Sequence, residues 1–314
     1  MAEQPPSAPS LSRWLTPGTF ILLGLIWGSS FLWIKIAVDE IPPATLVAYR
    51  MSLGALGMLA FLAVSRQVAI PTGRQLVPLA ILGAINTALP IFLISWGEQF
   101  VDSGTAAVLN SLVPIFSLII AGIFLRTEPV TWLRTLGLLI GFGGAALLAS
   151  RELALRGDLA GLIGSLAVVI AAICYAAGAS FAKYRIRDTP RYAVAAWSLV
   201  FAALYMWALA LVADGGVIVP TQADTIVAVV WLGVLGSFVA YLCYFFLLAQ
   251  LGATLTTMVT YVFPVVGVTL GVVALGEVLD WRLALGTVLV TLGIGVVSLR
   301  YDAVVSRVAS RGRG

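Results

Sequence analysis

Ten apolar stretches of about 20 residues each follow one another along this chain of 314 residues. At a rise of about 1.5 Å per residue, a helix of that length crosses a hydrocarbon core of about 30 Å. Only 10% of the residues are charged, which leaves too little polar surface to solvate a globular protein of this size. The chain is therefore predicted to be an integral membrane protein. The predicted spans cover residues 17-37, 43-64, 75-96, 103-125, 132-149, 159-182, 191-213, 224-248, 253-275 and 281-300.

The predicted fold class is an all-α bundle of ten transmembrane helices. Unpaired backbone groups cannot face lipid, and the apolar residues do not alternate in the period-two pattern of barrel strands. Residues 1-16 hold three prolines and no apolar run, so a disordered cytoplasmic tail is predicted there. Residues 301-314 are predicted to form a basic cytoplasmic tail. Cys174 and Cys243 lie in apolar spans and are expected to be packing residues rather than a disulfide.

Basic residues predict the orientation of the chain. With ten spans and a cytoplasmic N-terminus, thirteen of the eighteen Lys and Arg fall on the cytoplasmic side and four outside, while Arg50 lies within a span. This bias predicts that both termini are cytoplasmic. The sequence pI near 9.3 then reflects topology and not nucleic-acid binding.

An internal repeat divides the chain into residues 17-150 and 157-300. A shift of 150 residues aligns Gly28 with Gly178 and Pro114 with Pro264. Each half holds five spans, and an odd number means that the second copy crosses the membrane in the opposite direction. Inverted repeats of this kind are typical of secondary transporters, in which the two halves alternate access to a site near the midplane.

Several motifs together resemble the EamA-type branch of the drug/metabolite transporter superfamily. They are WGSSFLWIK from Trp27 to Lys35, Arg50 after two prolines, SLVPIFSLIIAGIFLRTE from Ser111, and YVFPVVGVTLGVVALGE from Tyr261. The resemblance covers about residues 17-300. It implies ten helices in two inverted EamA repeats, a bacterial inner-membrane location, and transport, often export, of metabolites such as amino acids.

Polar residues before mid-span prolines are candidates for the wall of a substrate cavity. A proline leaves the carbonyl four residues earlier without its helical hydrogen bond. Asn86, Asn110 and Thr260 each precede such a proline by four residues. In lipid these freed groups must face protein or a wet cavity. The alternative is that the prolines only kink tightly packed helices.

Aromatic and hydroxyl side chains give a second set of candidates, with an alternative role in core packing. They suit an apolar pocket with a few polar groups, which is the usual character of a small-molecule site. The set is Trp27, Ser30, Tyr175, Tyr241, Tyr244 and Tyr261.

Arg50 lies about 10 Å below the outer edge of its span at helical rise. A guanidinium at that depth can bind a substrate carboxylate. The alternative is a structural ion pair with Asp39, Glu40, Glu277 or Asp280, or an extension toward the headgroups.

Two further features are interpreted as structural. Glu128 and Glu277 precede the next spans and are expected to sit near helix N-termini. The glycine pairs are expected to pack helices within the chain, with a dimer face on span five as the alternative. These pairs are Gly24 with Gly28, Gly137 with Gly141, and Gly267 with Gly271.

The sequence favours a secondary transporter of small metabolites. The expected cargo is amino acids or related amphipathic solutes, and the expected direction is export. The chain has no P-loop, G-x-S-x-G or H-E-x-x-H motif, so it is not expected to be an enzyme or to bind a cofactor or metal. It has no histidine, and no acid lies deep within a span, which favours uncoupled diffusion or exchange.

The alternative functions are a non-transporting scaffold or receptor-like subunit, or a carrier of other metabolites or toxic cations. A monomer and a homodimer both remain open.

Overall fold

The computed structural model describes residues 12–67, 70–125, 131–186 and 189–298, and within them it contains helices and no strands. Within these described ranges, nine helices are long and apolar enough to cross a membrane, and a tenth apolar helix is shorter. The fold class is thus the predicted one, while the orientation in the membrane stays a prediction. The helices are α1 (Ser12–Val38), α2 (Pro43–Val64), α3 (Gly73–Gly97), α4 (Ser103–Phe124), α5 (Trp132–Arg156), α6 (Ala160–Arg185), α7 (Arg191–Ala213), α8 (Ala223–Gly252), α9 (Leu255–Leu275) and α10 (Trp281–Ser298).

The start of α1 corrects one predicted boundary. The helix begins at Ser12, so the last residues of the stretch 1-16 are helical rather than part of a disordered tail. Pro17 does not prevent this, because a proline close to a helix start removes few backbone hydrogen bonds. Residues 1–11, the tail 301-314 and Glu128 lie outside the described residues, so the predictions made for them stay predictions.

Helix packing follows the pattern expected of two repeats related by a two-fold axis. Helix α1 packs against α8 and α9, and α6, five helices later, packs against α3 and α4. The pairs α2 with α7 and α5 with α10 each join a helix to its own counterpart. Exchanging each of these helices for the one five places away therefore leaves these pairings unchanged.

Four of the helices are irregular at corresponding places. Helix α3 contains π-helical turns at Ala84–Ala88, and α8 contains them at Trp231–Val239. The regular helix in α4 stops at Asn110 and restarts at Val113, and α9 includes a 3-10 turn at Met258–Tyr261. Prolines follow three of these irregular segments closely, so the predicted link between proline and broken helix is present in the structure.

Glycines allow close contact between helices inside the chain, as predicted. A side chain at Gly24 would clash with Val262, and one at Gly28 would clash with Val266. On α5, Gly137 lies against the backbone of α10 and Gly141 against Ile115 of α4. These two glycines are covered within the chain, so the alternative of a dimer face formed by this pair is wrong.

The crossing of α5 and α10 provides a direct test of this packing. A methyl group at Gly293 would lie 2.6 Å from the backbone nitrogen of Gly141 and 2.7 Å from the backbone oxygen of Gly137. Gly293→Ala should therefore destabilise the protein by about 1 to 3 kcal/mol, because backbone atoms cannot move aside cheaply. Thermal unfolding in detergent measures the effect. Gly295→Ala is the matched control, since nothing lies within 4 Å of that position, and equal melting temperatures for the two variants would contradict the described crossing.

Candidate functional site

Arg50 is buried in the middle of the bundle, with 6% of its surface exposed. Its Nε donates a hydrogen bond to Ser237 Oγ at 3.2 Å, and its Nη2 donates to the Gly236 carbonyl oxygen at 3.4 Å. Both acceptors belong to the π-helical turns of α8. Among the described residues no carboxylate forms an ion pair with Arg50. The guanidinium is thus held by neutral groups only.

The predicted alternative of a structural ion pair for Arg50 is wrong for three of the acids, which bind elsewhere. Glu40 accepts hydrogen bonds from the hydroxyl and backbone of Thr221, and these bonds lower the pKa of Glu40 to about 2. Asp280 is bonded to Arg151. Glu277 accepts from the backbone N–H groups of Ser103 and Gly104 at 2.6 and 3.0 Å.

Glu277 therefore caps the N-terminus of α4, where a negative charge is favoured by the exposed N–H groups and the helix dipole. The sequence predicted a structural role near a helix N-terminus, which is correct. It placed that role at the span that follows Glu277 in the chain, which is wrong, because α4 lies next to this loop in space. Asp39, the fourth acid, is exposed at the end of α1 and makes no ion pair with Arg50 within the described ranges.

Two predicted residues of α1 meet Arg50 at Gly236. Trp27 Nε1 donates to the Gly236 carbonyl oxygen at 3.2 Å. A methyl group at Gly236 would lie 3.4 Å from both Ser30 Oγ and Arg50 Nη2. Helices α1, α2 and α8 thus converge on Gly236. Because this glycine has no side chain, it leaves room for the guanidinium.

Tyrosines complete the surroundings of the guanidinium. Tyr175 of α6 and Tyr241 of α8 lie within electrostatic range of Arg50. The side chain of Thr87, in the π-helical turns of α3, lies beside the Tyr241 hydroxyl. The Tyr244 ring packs against Trp27 with ring centroids 5.8 Å apart. We call the cluster of Trp27, Ser30, Arg50, Tyr175, Tyr241, Tyr244 and Gly236 the central site.

Three other predicted residues have partners outside the central site. Asn86 packs against Gly178 of α6. Thr260 donates to the carbonyl of Thr257 in its own helix, and the Tyr261 hydroxyl donates to the Ile294 carbonyl of α10 at 3.2 Å. The structure therefore brings only part of the predicted set together, and a substrate contact for any of them stays a prediction.

Asn110 differs from these three because its amide oxygen is unpaired. The residue is 6% exposed, and its Oδ1 has no hydrogen-bond partner among the described residues. It ends the first regular part of α4, at the break in the helix. A buried amide in this state is expected where a polar ligand or water can approach.

Arg151 forms a buried ionic network at the end of the bundle that is predicted to face outside, which we call the outer end. The side chain is fully buried and lies 2.8 Å from Asp102, 2.8 Å from Glu152 and 3.0 Å from Asp280. Asp102 belongs to the first predicted repeat and Asp280 to the second, while Arg151 and Glu152 follow directly after the first on α5. The network therefore joins the two halves, and no sequence pattern predicts it.

A cavity of about 410 Å³ opens beside this network. Charged residues from three segments line it, in addition to apolar side chains. They are Lys35, Asp39, Asp102 and Glu277. Within the described residues no group of His, Cys, Asp and Glu is arranged to hold a metal ion.

Replacement of Asn110 by the similarly shaped leucine tests whether its amide is unpaired. Asn110→Leu should leave the melting temperature unchanged or raise it, because a buried polar group without a partner costs about 1 to 3 kcal/mol. Thr105→Val is the matched control. Thr105 lies in the same helix as Asn110, and its hydroxyl donates a hydrogen bond to the Glu152 carboxylate of α5 at 2.6 Å. The control should destabilise the protein by about 1 to 3 kcal/mol. A similar loss in Asn110→Leu would show that the amide is bonded after all.

Comparisons with known proteins agree with this fold. The uncharacterized inner membrane transporter YedA of Escherichia coli is 31% identical, with 88% of this chain and 90% of that protein covered. The uncharacterized transporter YoaV of Bacillus subtilis is 26% identical, over 87% of this chain and 93% of the relative. A probable terminal-alkyne amino-acid exporter of Streptantibioticus cattleyicolor is 28% identical, over 89% and 92%.

A crystal structure of another protein, 20% identical, superposes with a TM-score of 0.66 over 93% of this chain and 99% of its own, which shows a shared fold. The model of the EamA-like transporter family matches the chain twice, over residues 16–150 and 162–299. These two matches cover nearly the whole length. The chain belongs to the EamA-like transporter family.

Proposed function

We propose that this membrane transporter exports small metabolites, amino acids or related amphipathic solutes, across the bacterial inner membrane by alternating access to the central site. The family and the transporter names of its relatives support membrane transport. One relative is described as an inner membrane protein and another as an amino-acid exporter, which supports the location and the direction.

The observation that carries the proposal is a buried guanidinium without a carboxylate partner. A buried charge is costly unless it is paired and hydrogen-bonded. In the described part of the chain, the hydrogen-bond partners of Arg50 are a hydroxyl and a carbonyl, so an anionic group would be bound favourably there. A carboxylate can accept two parallel N–H bonds from a guanidinium, which makes it the best-matched ligand.

The remaining walls of the central site suit the rest of such a solute. The Trp27 ring packs against Tyr244 and, edge-on, against Phe263. Aromatic walls with a few hydroxyl groups bind amphipathic molecules better than strongly polar ones. The single arginine also disfavours phosphorylated cargo, which would need several cationic groups, and it repels organic cations.

The site lies between the predicted repeats, as alternating access requires. Arg50 and Trp27 belong to the first repeat, and both donate hydrogen bonds to Gly236 in the second. A relative movement of the halves would therefore change the site directly. No catalytic activity is proposed, because a site of this composition binds and releases a solute without a nucleophile or base aligned for chemistry.

Replacement of Arg50 tests the proposal. The protein is reconstituted in vesicles loaded with a mixed pool of amino acids and small amphipathic cations, and efflux is followed by mass spectrometry. Wild-type vesicles should release amino acids selectively. Arg50→Gln should lower that efflux at least about tenfold, because it removes a charge-assisted hydrogen bond of about 1.5 to 3 kcal/mol. Arg50→Lys should retain part of the efflux, because lysine keeps the positive charge but cannot donate the two parallel hydrogen bonds of a guanidinium.

Arg74→Gln is the matched control. Arg74 is exposed in the first turn of α3 and is not part of the central site, so its loss should leave efflux unchanged. Equal amino-acid efflux in the Arg50→Gln and wild-type proteins would refute the carboxylate site. A stable complex with another protein and no flux of any solute would favour the scaffold alternative.

A further inference from the structure

Glu98 is a fully buried acid that the central site does not use. It follows the last residue of α3, and 0% of its surface is exposed. Neither carboxylate oxygen has a hydrogen-bond partner among the described residues. Because Glu98 stands at a helix C-terminus, the helix dipole opposes a negative charge there. The surroundings therefore disfavour the ionised carboxylate.

Close packing fixes the position of Glu98. The preceding residue, Gly97, lies against the backbone of Gly164 and the side chain of Val168 in α6. Lys35 of α1 donates to the backbone carbonyl oxygens of Glu98 and Val101 at 2.5 and 2.9 Å. The ammonium group of Lys35 is thus bound to main-chain oxygens and not to the Glu98 carboxylate.

Charged groups on several elements interact electrostatically with Glu98. Lys35 and Arg50 attract its negative charge and Glu277 repels it, but none of them makes a hydrogen bond to its carboxylate. The α6 groups that lie against the preceding Gly97 are the Gly164 backbone and the Val168 side chain, and they carry no charge. The nearby acids and bases of the outer end are Asp39 at the end of α1, Asp102 before α4, and Arg151 with Glu152 on α5, the last three joined in the ionic network.

A carboxyl group in this state holds a proton. Transfer of an ionised carboxylate out of water without a partner costs several kcal/mol, and protonation avoids that cost. Burial accordingly raises the pKa of Glu98, and this effect outweighs the attraction of Lys35 and Arg50. The stability that this carboxyl group contributes is therefore fully present below the ordinary pKa of a glutamate, and it is lost as the pH rises from there through the raised pKa.

We propose that Glu98 is a proton-binding site that is loaded and emptied together with the solute carboxylate at Arg50. The inference rests on the proposed function of the central site. A neutral Glu98 leaves the Arg50 charge free for a solute carboxylate. After the solute and the proton leave, an ionised Glu98 takes over as the counter-charge of Arg50. One carboxylate and one proton are then released in the same step, and the buried charge is balanced before and after it.

The cavity at the outer end supplies a route for the proton. Lys35 and Glu277 both line that cavity and both interact with Glu98. A small rearrangement of the Lys35 side chain would hydrate the carboxyl group from that side. Proton release to the outside is thereby linked to opening of the outer end.

The first experiment tests proton binding without any solute. Infrared difference spectra of the purified protein are recorded as the pH is raised from neutral to alkaline. The wild type should lose a protonated-carboxyl signal that Glu98→Gln lacks. Glu40→Gln is the control and should keep the signal, because the pKa of Glu40 is about 2 and this acid is ionised throughout the titration. A signal that persists unchanged in Glu98→Gln, or is missing from the wild type, overturns the proposal.

The second experiment tests coupling in the loaded vesicles described above. Wild-type amino-acid efflux should be slower into an acidic outer buffer than into an alkaline one, by up to about tenfold per pH unit for one linked proton. In Glu98→Gln the ratio of the two rates should fall to one, while Glu40→Gln should keep the wild-type ratio. Efflux that speeds up in acid, or a pH response that survives in Glu98→Gln, contradicts the coupling.

The two experiments separate this inference from the proposed function. If wild-type vesicles release no amino acid, the proposed function fails. The infrared titration still decides whether Glu98 holds a proton.

Discussion

Every backbone N–H and C=O group that lies within a bilayer must find its partner inside the protein. This constraint makes the spans helical, and it also decides where a helix can be irregular. The irregular segments of α3, α4, α8 and α9 occur at corresponding places in the two halves. In α8 the irregularity supplies the site directly, because the Gly236 carbonyl accepts from Trp27 and Arg50, while the Ser237 hydroxyl accepts from Arg50 and donates to Leu232.

Buried charges in this protein fall into two kinds. Arg151 is surrounded by three carboxylates at 2.8 to 3.0 Å, so its charge is neutralised and it ties the outer end together. Arg50 has no such partner, and the Glu98 carboxylate has no hydrogen-bond partner at all among the described residues. The first arrangement stabilises one conformation. The second leaves a positive group and a neutral acid available for exchange, which is what a binding site for a carboxylate and a proton requires.

The sequence predicted the architecture well because the physical signals for it are local. Apolar length predicts a span, a shift of 150 residues reveals the repeat, and a mid-span proline predicts a broken helix. The shortest helix, α10, and the early start of α1 show that span ends are less certain, since lipid depth and loop packing set them. Six of the predicted substrate-binding residues lie together in the central site, and their contact with a substrate stays a prediction. They are Trp27, Ser30, Arg50, Tyr175, Tyr241 and Tyr244.

Sequence spacing could not reveal contacts between distant helices. Gly236 and Ser237 carry no motif, yet they hold Arg50 from 186 and 187 residues away. Glu277 caps α4 rather than the helix that follows it in the chain, because its neighbour in space is distant in sequence. Glu98 stands at a predicted span boundary, where an acid is normally solvated. In the fold it is buried, with the preceding Gly97 packed against α6 and Lys35 bonded to its backbone carbonyl. The sequence-based preference for uncoupled transport depended on that missing information.

The central claim is that Arg50 selects solutes by their carboxylate. The most direct measurement compares efflux of leucine and of leucinamide from vesicles that contain the wild-type protein. The two molecules share the side chain and the amino group and differ only in the carboxylate. Leucine should leave at least about tenfold faster, because leucinamide loses one charge-assisted hydrogen bond. Equal rates, or a preference for leucinamide, would contradict a carboxylate site at Arg50.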